Sequence, residues 1–176
     1  MKKSQKISFS SLLVALAVTV MLVSYFPYLT YAVPAIAGFF IFVIYMEVGN
    51  TYAVGGYVAA GFISLLFAEK EAAVMFLCLF GIYPIIKALV EKIKKQTAEW
   101  VIKLLFFNVM AVISYYITVY ILGIPFDDFG KFSKYGVYVL WAVCNPVFVL
   151  YDISLSKMAV TYIMRVHPTV ARIFKR

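Results

Sequence analysis

Six long apolar runs, separated by short polar or aromatic segments, take up most of this chain of 176 residues. They cover approximately residues 9–26, 29–48, 51–68, 72–90, 100–123 and 135–160. A helix of about 20 apolar residues crosses the hydrocarbon core of a bilayer. Its backbone polar groups hydrogen-bond within the helix, which is necessary because the core contains no water to bond them. The pattern therefore predicts an all-α integral membrane protein. We expect six transmembrane helices in one bundle, with residues 1–176 as a single domain.

The composition supports the same class. Apolar residues make up 65% of the chain and charged residues 14%, whereas a soluble domain has about 45–50% and about 25%. This composition excludes a soluble globular enzyme. The aromatic fraction of 18% excludes a disordered chain, because disordered segments are poor in aromatic residues and rich in charge.

The basic residues are distributed unevenly between the connecting segments. With the N-terminus placed in the cytoplasm, thirteen of the 16 lysines and arginines fall on the cytoplasmic side, and the outer connections hold only Lys70, Lys131 and Lys134. Such an excess is typical of the cytoplasmic flanks of membrane helices. We therefore expect both termini in the cytoplasm, with residues 161–176 as a basic tail. The formal charge of +8 then reflects topology and contact with membrane lipid, and no nucleic-acid partner is predicted.

Small residues recur at four-residue spacing in two of the runs. The first run carries Ser11, Ala15 and Thr19, and the third carries the pairs Gly55/Ala59 and Gly56/Ala60. Small residues four apart allow two membrane helices to approach closely. In the third run this pattern favours packing within the protein. In the first run two interpretations stay open, namely internal packing and a docking face for another membrane subunit.

Three ionisable residues are expected at membrane depth, all toward the inner face: Glu47, Lys87 and Asp152. A charge inside the bilayer costs about 2.5–3.5 kcal/mol on insertion scales, so each needs a partner or a purpose. Their shared depth predicts an intramembrane ion cluster. Pairing and snorkelling at the interface is the simpler interpretation. A conformational lock or a contact to a cytoplasmic partner is the functional alternative.

Aromatic and polar residues gather toward the outer ends of the fifth and sixth runs and in the connection between them. An outward-open pocket with aromatic walls and a few polar groups suits a small, water-soluble ligand. Belt placement of the tyrosines and hydrogen bonding between helices is the alternative. The candidate ligand-binding residues are Tyr116, Tyr120, Asp127, Asp128, Tyr138, Trp141 and Asn145.

Several catalytic and energy-coupling motifs do not occur in the sequence. There is no G-x-x-x-x-G-K-[ST], H-E-x-x-H or G-x-S-x-G, and the one histidine, His167, lies in the tail. Cys78 and Cys144 lie within apolar runs and form no C-x-x-C. The sequence therefore predicts no enzymatic activity, no metal site and no cofactor, and any energy source must belong to another protein.

The stretch from Ser10 to Ala17, SSLLVALA, follows directly on a basic N-terminus. It is similar to the opening of the first helix in the substrate-binding (S) components of energy-coupling-factor transporters, and the length and six-run pattern resemble that family over nearly the whole chain. The resemblance implies uptake of a vitamin-like small molecule across a bacterial cell membrane by a multi-pass subunit. It also implies a transmembrane coupling subunit, which packs on the small residues of the first helix, and separate ATPase subunits. Ser11 stands where family members often have alanine, which is a departure. No vitamin-specific signature is present.

Two other functions remain open at this stage. The chain would also suit a non-transporting scaffold of a cell-envelope or cell-shape assembly, in which the small-residue rows and the charged cluster bind other proteins. A small lipid-processing enzyme is a third interpretation, disfavoured by the missing catalytic motifs.

Overall fold

The structure, a computed structural model, describes residues 2–26, 29–93, 95–123 and 136–175. Helices account for 91% of it, and no strand occurs in these ranges. The helices are α1 Lys3–Leu22, α2 Ala32–Val48, α3 Asn50–Phe67, α4 Lys70–Met75, α5 Tyr83–Val90, α6 Gln96–Tyr116, α7 Gly136–Arg165 and α8 His167–Lys175. The prediction of an all-helical protein is confirmed.

Five helical segments of the described chain are long and apolar enough to cross a membrane: Lys3–Tyr25, Asn50–Phe67, Lys70–Ile93, Gln96–Ile121 and Trp141–Arg165. Each lies on one of the apolar runs. The run predicted over 29–48 forms α2, a shorter helix of 17 residues that extends about 25 Å, less than the roughly 30 Å of a hydrocarbon core. The multi-pass membrane class therefore stands, with five helices that qualify as spans on length and composition.

The short helix α2 lies at the centre of the bundle. It packs against α1, α3, α4, α5 and α7, and Ala37, Ile41 and Ile44 are fully buried. It ends at Gly49, where φ is 108°, a left-handed conformation that glycine adopts without steric cost. The Gly49 N–H donates to the carbonyls of Ile44 and Tyr45 and closes the helix. Since α3 begins at the next residue, α2 and α3 run antiparallel with almost no connecting loop.

The spanning segment Lys70–Ile93 is interrupted in its middle. A π-helical stretch, Phe76–Phe80, separates α4 from α5, and the Gly81 N–H donates to the Phe76 carbonyl at 2.7 Å. Pro84 lies in the first turn of α5 and has no amide hydrogen to continue the bonding pattern. A second π-helical stretch, Ile117–Ile121, ends the segment of α6.

The C-terminal part of the chain differs from the predicted boundary at 160. Helix α7 continues to Arg165 because no glycine or proline interrupts residues 147–165. The predicted tail of 161–176 is therefore partly the last turn of α7. After Val166, a separate short helix, α8, begins at His167.

The helix ends meet in two groups. The Lys6 ammonium lies 6.0 Å from the Tyr52 ring centre, which joins the N-termini of α1 and α3. The Lys92 ammonium lies 5.9 Å from the Tyr45 ring centre, which joins the ends of α5 and α2. These contacts gather the N-termini of α1 and α3 with the C-termini of α2 and α5. We name this the basic end.

The other end of the bundle is held by two glutamates at the start of α4. The Glu69 N–H donates to the Ser24 hydroxyl at 3.1 Å, and the Thr30 hydroxyl donates to the Glu69 carboxylate at 2.8 Å. The Tyr31 hydroxyl donates to Glu71 at 2.7 Å. The C-terminus of α1 and the N-termini of α2 and α4 therefore meet here. We name this the opposite end.

Candidate functional site

A groove of about 620 Å³ runs between α1 and α3 on the outside of the bundle. Ser11, Ala15 and Thr19 line it from α1, and Gly55 and Ala59 line it from α3. All five residues are exposed. The structure thus brings the three predicted docking residues together on one open surface, which we name the α1–α3 groove.

A different face of helix α1 points into the protein. On that side Leu13 is 8% exposed, and Ala17 and Met21 are fully buried. Internal packing of α1 therefore uses Ala17 and its neighbours. The row of Ser11, Ala15 and Thr19 takes no part in it.

The two adjacent glycines of α3 have different surroundings. A Cβ atom added at Gly55 would meet no heavy atom within 4 Å, whereas one added at Gly56 would lie 3.0 Å from Ile44 Cδ1 and 3.2 Å from Val14 Cγ2. Gly55 therefore faces the open groove, and Gly56 allows the close approach of α3 to its neighbours. The small-residue pattern of α3, predicted to serve internal packing, therefore does so at Gly56 but faces the groove at Gly55.

The groove lining includes a buried hydroxyl without a partner among the described residues. The Ser10 hydroxyl lines the groove, is buried, and makes no hydrogen bond with the residues that the structure describes. A buried hydroxyl without a partner costs free energy. The groove thus combines a lining rich in small residues with an unsatisfied hydroxyl.

A buried charged cluster lies between α5, α6 and α7. Lys87 and Lys103 are each 1% exposed and Asp152 is 3% exposed. The Lys87 ammonium lies 2.5 Å from the Asp152 carboxylate, and the Lys103 ammonium lies 3.3 Å from it. The Tyr83 hydroxyl also donates to Asp152, at 2.5 Å. One carboxylate from α7 is therefore shared by donors from α5 and α6.

Two glutamates complete the cluster on its accessible side. Glu91, with a side chain 40% exposed, lies 2.6 Å from the Lys87 ammonium and 3.1 Å from that of Lys103. Glu99, 20% exposed, lies 2.6 Å from Lys103. The cluster has two ammonium groups and three carboxylates in mutual contact. We name these five residues, with Tyr83, the charged cluster.

The structure brings together Lys87 and Asp152 but places Glu47 in a different contact. Glu47 accepts a hydrogen bond from the Tyr162 hydroxyl at 3.0 Å, and it lies 2.7 Å from Nδ1 of His167. Among the described residues it forms no ion pair with Lys87. The reason is the arrangement of the helices, since Glu47 lies in the last turn of α2 and its partners come from α7 and α8.

Sequence reasoning missed Lys103, Glu91 and Glu99 as members of the cluster. The sequence places Lys103 among the basic residues of the cytoplasmic side, near the start of the fifth run. A usable signal was present, since Lys87/Glu91 and Glu99/Lys103 are each four residues apart and such pairs meet on one helix face. In the described part of the chain, no group of three His, Cys, Asp or Glu side chains could hold a metal ion.

The candidate ligand residues are only partly described. Tyr116 and Tyr120 are 55% and 74% exposed, and their rings stack on each other with centres 5.5 Å apart. Trp141 is 43% exposed. Asp127, Asp128 and the side chain of Tyr138 lie outside the described residues. The described aromatic residues therefore present their rings outward.

Asn145 bonds to another helix through its amide. It exchanges hydrogen bonds with Asn108 of α6, with N···O distances of 3.1 and 3.3 Å, and it donates to the Trp141 carbonyl at 2.9 Å. Asn108 in turn donates to the Leu104 carbonyl at 2.7 Å. This amide pair links α6 to α7.

No protein-family model matches the chain, and no match is found among curated proteins or solved structures.

Proposed function

We propose that the chain is the substrate-binding membrane subunit of a small-molecule uptake transporter, which separate coupling and ATPase subunits energise. The observation that carries the proposal is the α1–α3 groove, whose exposed small residues face away from the bundle. A membrane helix of a coupling subunit is the partner that such a groove suits, because small residues permit close backbone contact in lipid. The chain has no nucleotide-binding motif, so energy must come from partner proteins.

The proposed topology has six crossings, with the basic end in the cytoplasm of a bacterial cell. Lys6 and Lys92 lie at the basic end, and Glu69 and Glu71 hold the opposite end. This distribution of charge supports the orientation under the positive-inside rule. Helix α2 is short for a span, but five other helices surround it, so its ends need not reach the lipid headgroups by themselves.

Filling the groove tests the docking part of the proposal. Gly55→Leu adds a side chain where a Cβ meets nothing within 4 Å, so the protein itself has room for it. Ala15→Trp fills the groove from the other wall. We expect both variants to insert and remain folded while copurification of a membrane partner from the native host falls at least tenfold.

Leu16→Trp is the matched control. Leu16 is adjacent to Ala15 and 42% exposed, but it does not line the groove. We expect Leu16→Trp to keep its partner. Retention of the partner by Gly55→Leu and Ala15→Trp, or its loss in all three variants, would contradict docking through the groove.

A ligand screen tests the uptake part of the proposal. We expect the purified protein to bind one water-soluble vitamin or nucleobase with a sub-micromolar Kd, measured by thermal shift and confirmed by native mass spectrometry. The ligand would enter from the opposite end, near Tyr116, Tyr120 and Trp141. Absence of binding across the screen would count against a substrate-binding subunit even if the groove binds a partner.

A second candidate function is a non-transporting membrane scaffold of a cell-envelope or cell-shape assembly. The hydrogen bonds of Asn145 favour it. Asn145 bonds to Asn108 and to a backbone carbonyl, so its amide links α6 to α7 and does not face a ligand. Copurification of envelope proteins through the groove, without a small-molecule ligand, would support the scaffold. Copurification of an ATPase and a bound ligand would support uptake.

A further inference from the structure

Helix α8, His167–Lys175, differs in kind from the helix before it. The preceding helix, α7, has apolar residues on all sides and almost no amphipathic character. In contrast, α8 is strongly amphipathic while its average hydrophobicity is close to zero. A helix of this type lies in a membrane interface, with its apolar face toward the acyl chains and its basic face toward the headgroups.

The sequence register divides α8 into two faces. Positions 170, 173 and 174 are valine, isoleucine and phenylalanine, and their spacing places them on one side of a helix. Arg172 and Lys175 fall on the other side. Of these residues, Arg172 is exposed and Val170 is half-buried.

The start of α8 is attached to the basic end of the bundle. His167 Nδ1 lies 2.7 Å from the Glu47 carboxylate at the end of α2, and Glu47 also accepts the Tyr162 hydroxyl bond. The Glu47 side chain is only 5% exposed. Since a buried group of the bundle holds its first residue, α8 starts at a defined point on the basic end.

Two exposed arginines lie close to this point along the chain. Arg165 ends α7 and Arg172 lies on α8, and both are exposed. The Glu47 carboxylate is held by Tyr162 and His167, and its side chain is almost fully buried. The exposed side chains of Arg165 and Arg172 therefore present positive charge at this part of the basic end.

We propose that α8 and Arg165 form a binding surface for anionic phospholipid headgroups. The basic side chains complement the negative headgroup, and the apolar face contacts the adjoining acyl chains, so the surface fits a lipid better than a free anion. Each basic residue near a membrane surface contributes about 1 kcal/mol of attraction to anionic lipid, or about fivefold in affinity. The inference does not depend on the proposed transport or scaffold function.

The test uses the full-length purified protein in a neutral detergent, titrated with phosphatidylglycerol or phosphatidylcholine and observed by native mass spectrometry. Arg172→Gln and Arg165→Gln each remove one positive charge from the surface. Lys70→Gln removes one exposed charge from the opposite end and serves as the matched control. A separate arm adds an excess of inorganic phosphate.

We expect phosphatidylglycerol to bind at least fivefold more tightly than phosphatidylcholine. Arg172→Gln and Arg165→Gln should each weaken phosphatidylglycerol binding about fivefold, while Lys70→Gln and added phosphate leave it within twofold. Equal binding of the two lipids would overturn the proposal. An equal loss in Lys70→Gln, or displacement by phosphate, would overturn it as well. Because all three side chains are exposed, circular dichroism should show an unchanged helical content in each variant.

Discussion

Removing one buried lysine from the charged cluster should destabilise the protein far more than removing a surface lysine. Lys87 is 1% exposed and touches both Asp152, at 2.5 Å, and Glu91, at 2.6 Å. In Lys87→Met, Asp152 keeps the Tyr83 hydroxyl and the more distant Lys103 ammonium at 3.3 Å. Glu91 has a side chain 40% exposed and can turn to water. Asp152, at 3% exposure, cannot do so.

The expected loss follows from the buried carboxylate that this variant leaves behind. Breaking a buried ion pair by removing one partner costs about 3–5 kcal/mol. Replacing both partners with neutral residues costs much less, since no uncompensated charge remains. The double variant Lys87→Met/Asp152→Asn should therefore be about 2–3 kcal/mol more stable than the sum of the two single losses predicts.

Unfolding by sodium dodecyl sulfate in mixed micelles measures these differences, with circular dichroism reporting helix content. Trp100 offers a local fluorescence signal, because its ring centre lies 5.4 Å from the Lys103 ammonium. Lys157→Met is the matched control, since Lys157 lies on α7 one and a half turns beyond Asp152 and is exposed. Lys157→Met should change the free energy of unfolding by no more than about 0.5 kcal/mol.

Two results would refute this reasoning. The first is additivity. If the losses in unfolding free energy of the two single variants sum to the loss of the double variant within about 0.5 kcal/mol, Lys87 and Asp152 act independently. A loss for Lys87→Met as small as that for Lys157→Met would show that the cluster is solvated and not buried.

Two further predictions concern the packing of α2 and the amide pair. Gly38→Ala should cost about 1–3 kcal/mol, because its Cβ would lie 2.2 Å from the Phe80 carbonyl oxygen. Gly55→Ala should be neutral or stabilising by up to about 1 kcal/mol. Equal losses of unfolding free energy in Gly38→Ala and Gly55→Ala, in the same assay, would contradict this difference. Asn108→Ala should cost about 0.5–1.5 kcal/mol by removing the exchanged bonds with Asn145, and Asn108→Ala/Asn145→Ala should cost less than the sum of the single losses. Additive losses would argue against the pair.

The charged cluster shows what a residue's depth in the membrane can and cannot predict. The sequence predicts that Glu47, Lys87 and Asp152 lie at the same depth, and Lys87 and Asp152 do form an ion pair. Depth does not specify which helices are neighbours. Glu47, in the last turn of α2, contacts His167, while Lys103 of α6 is the third charged residue at Asp152.

The ligand residues show a similar limit. The sequence places Asn145 and the aromatic residues toward one end of the bundle, but a pocket requires that their side chains converge. Asn145 turns to Asn108, and the rings of Tyr116 and Tyr120 stack on each other while largely exposed. Whether a polar group in lipid faces a ligand or a neighbouring helix depends on the rotation of that helix.

The sequence by itself determined the helical membrane class. Hydrophobicity and helix length are sums over neighbouring residues, so they can be read without knowing any tertiary contact. Only the tertiary structure decided which face of α1 is open. Ala15 and Ala17 are the same residue type two positions apart, yet Ala15 lines the groove and Ala17 is fully buried. The difference is the rotation of α1 about its axis, which is set by its packing against α2 and α3.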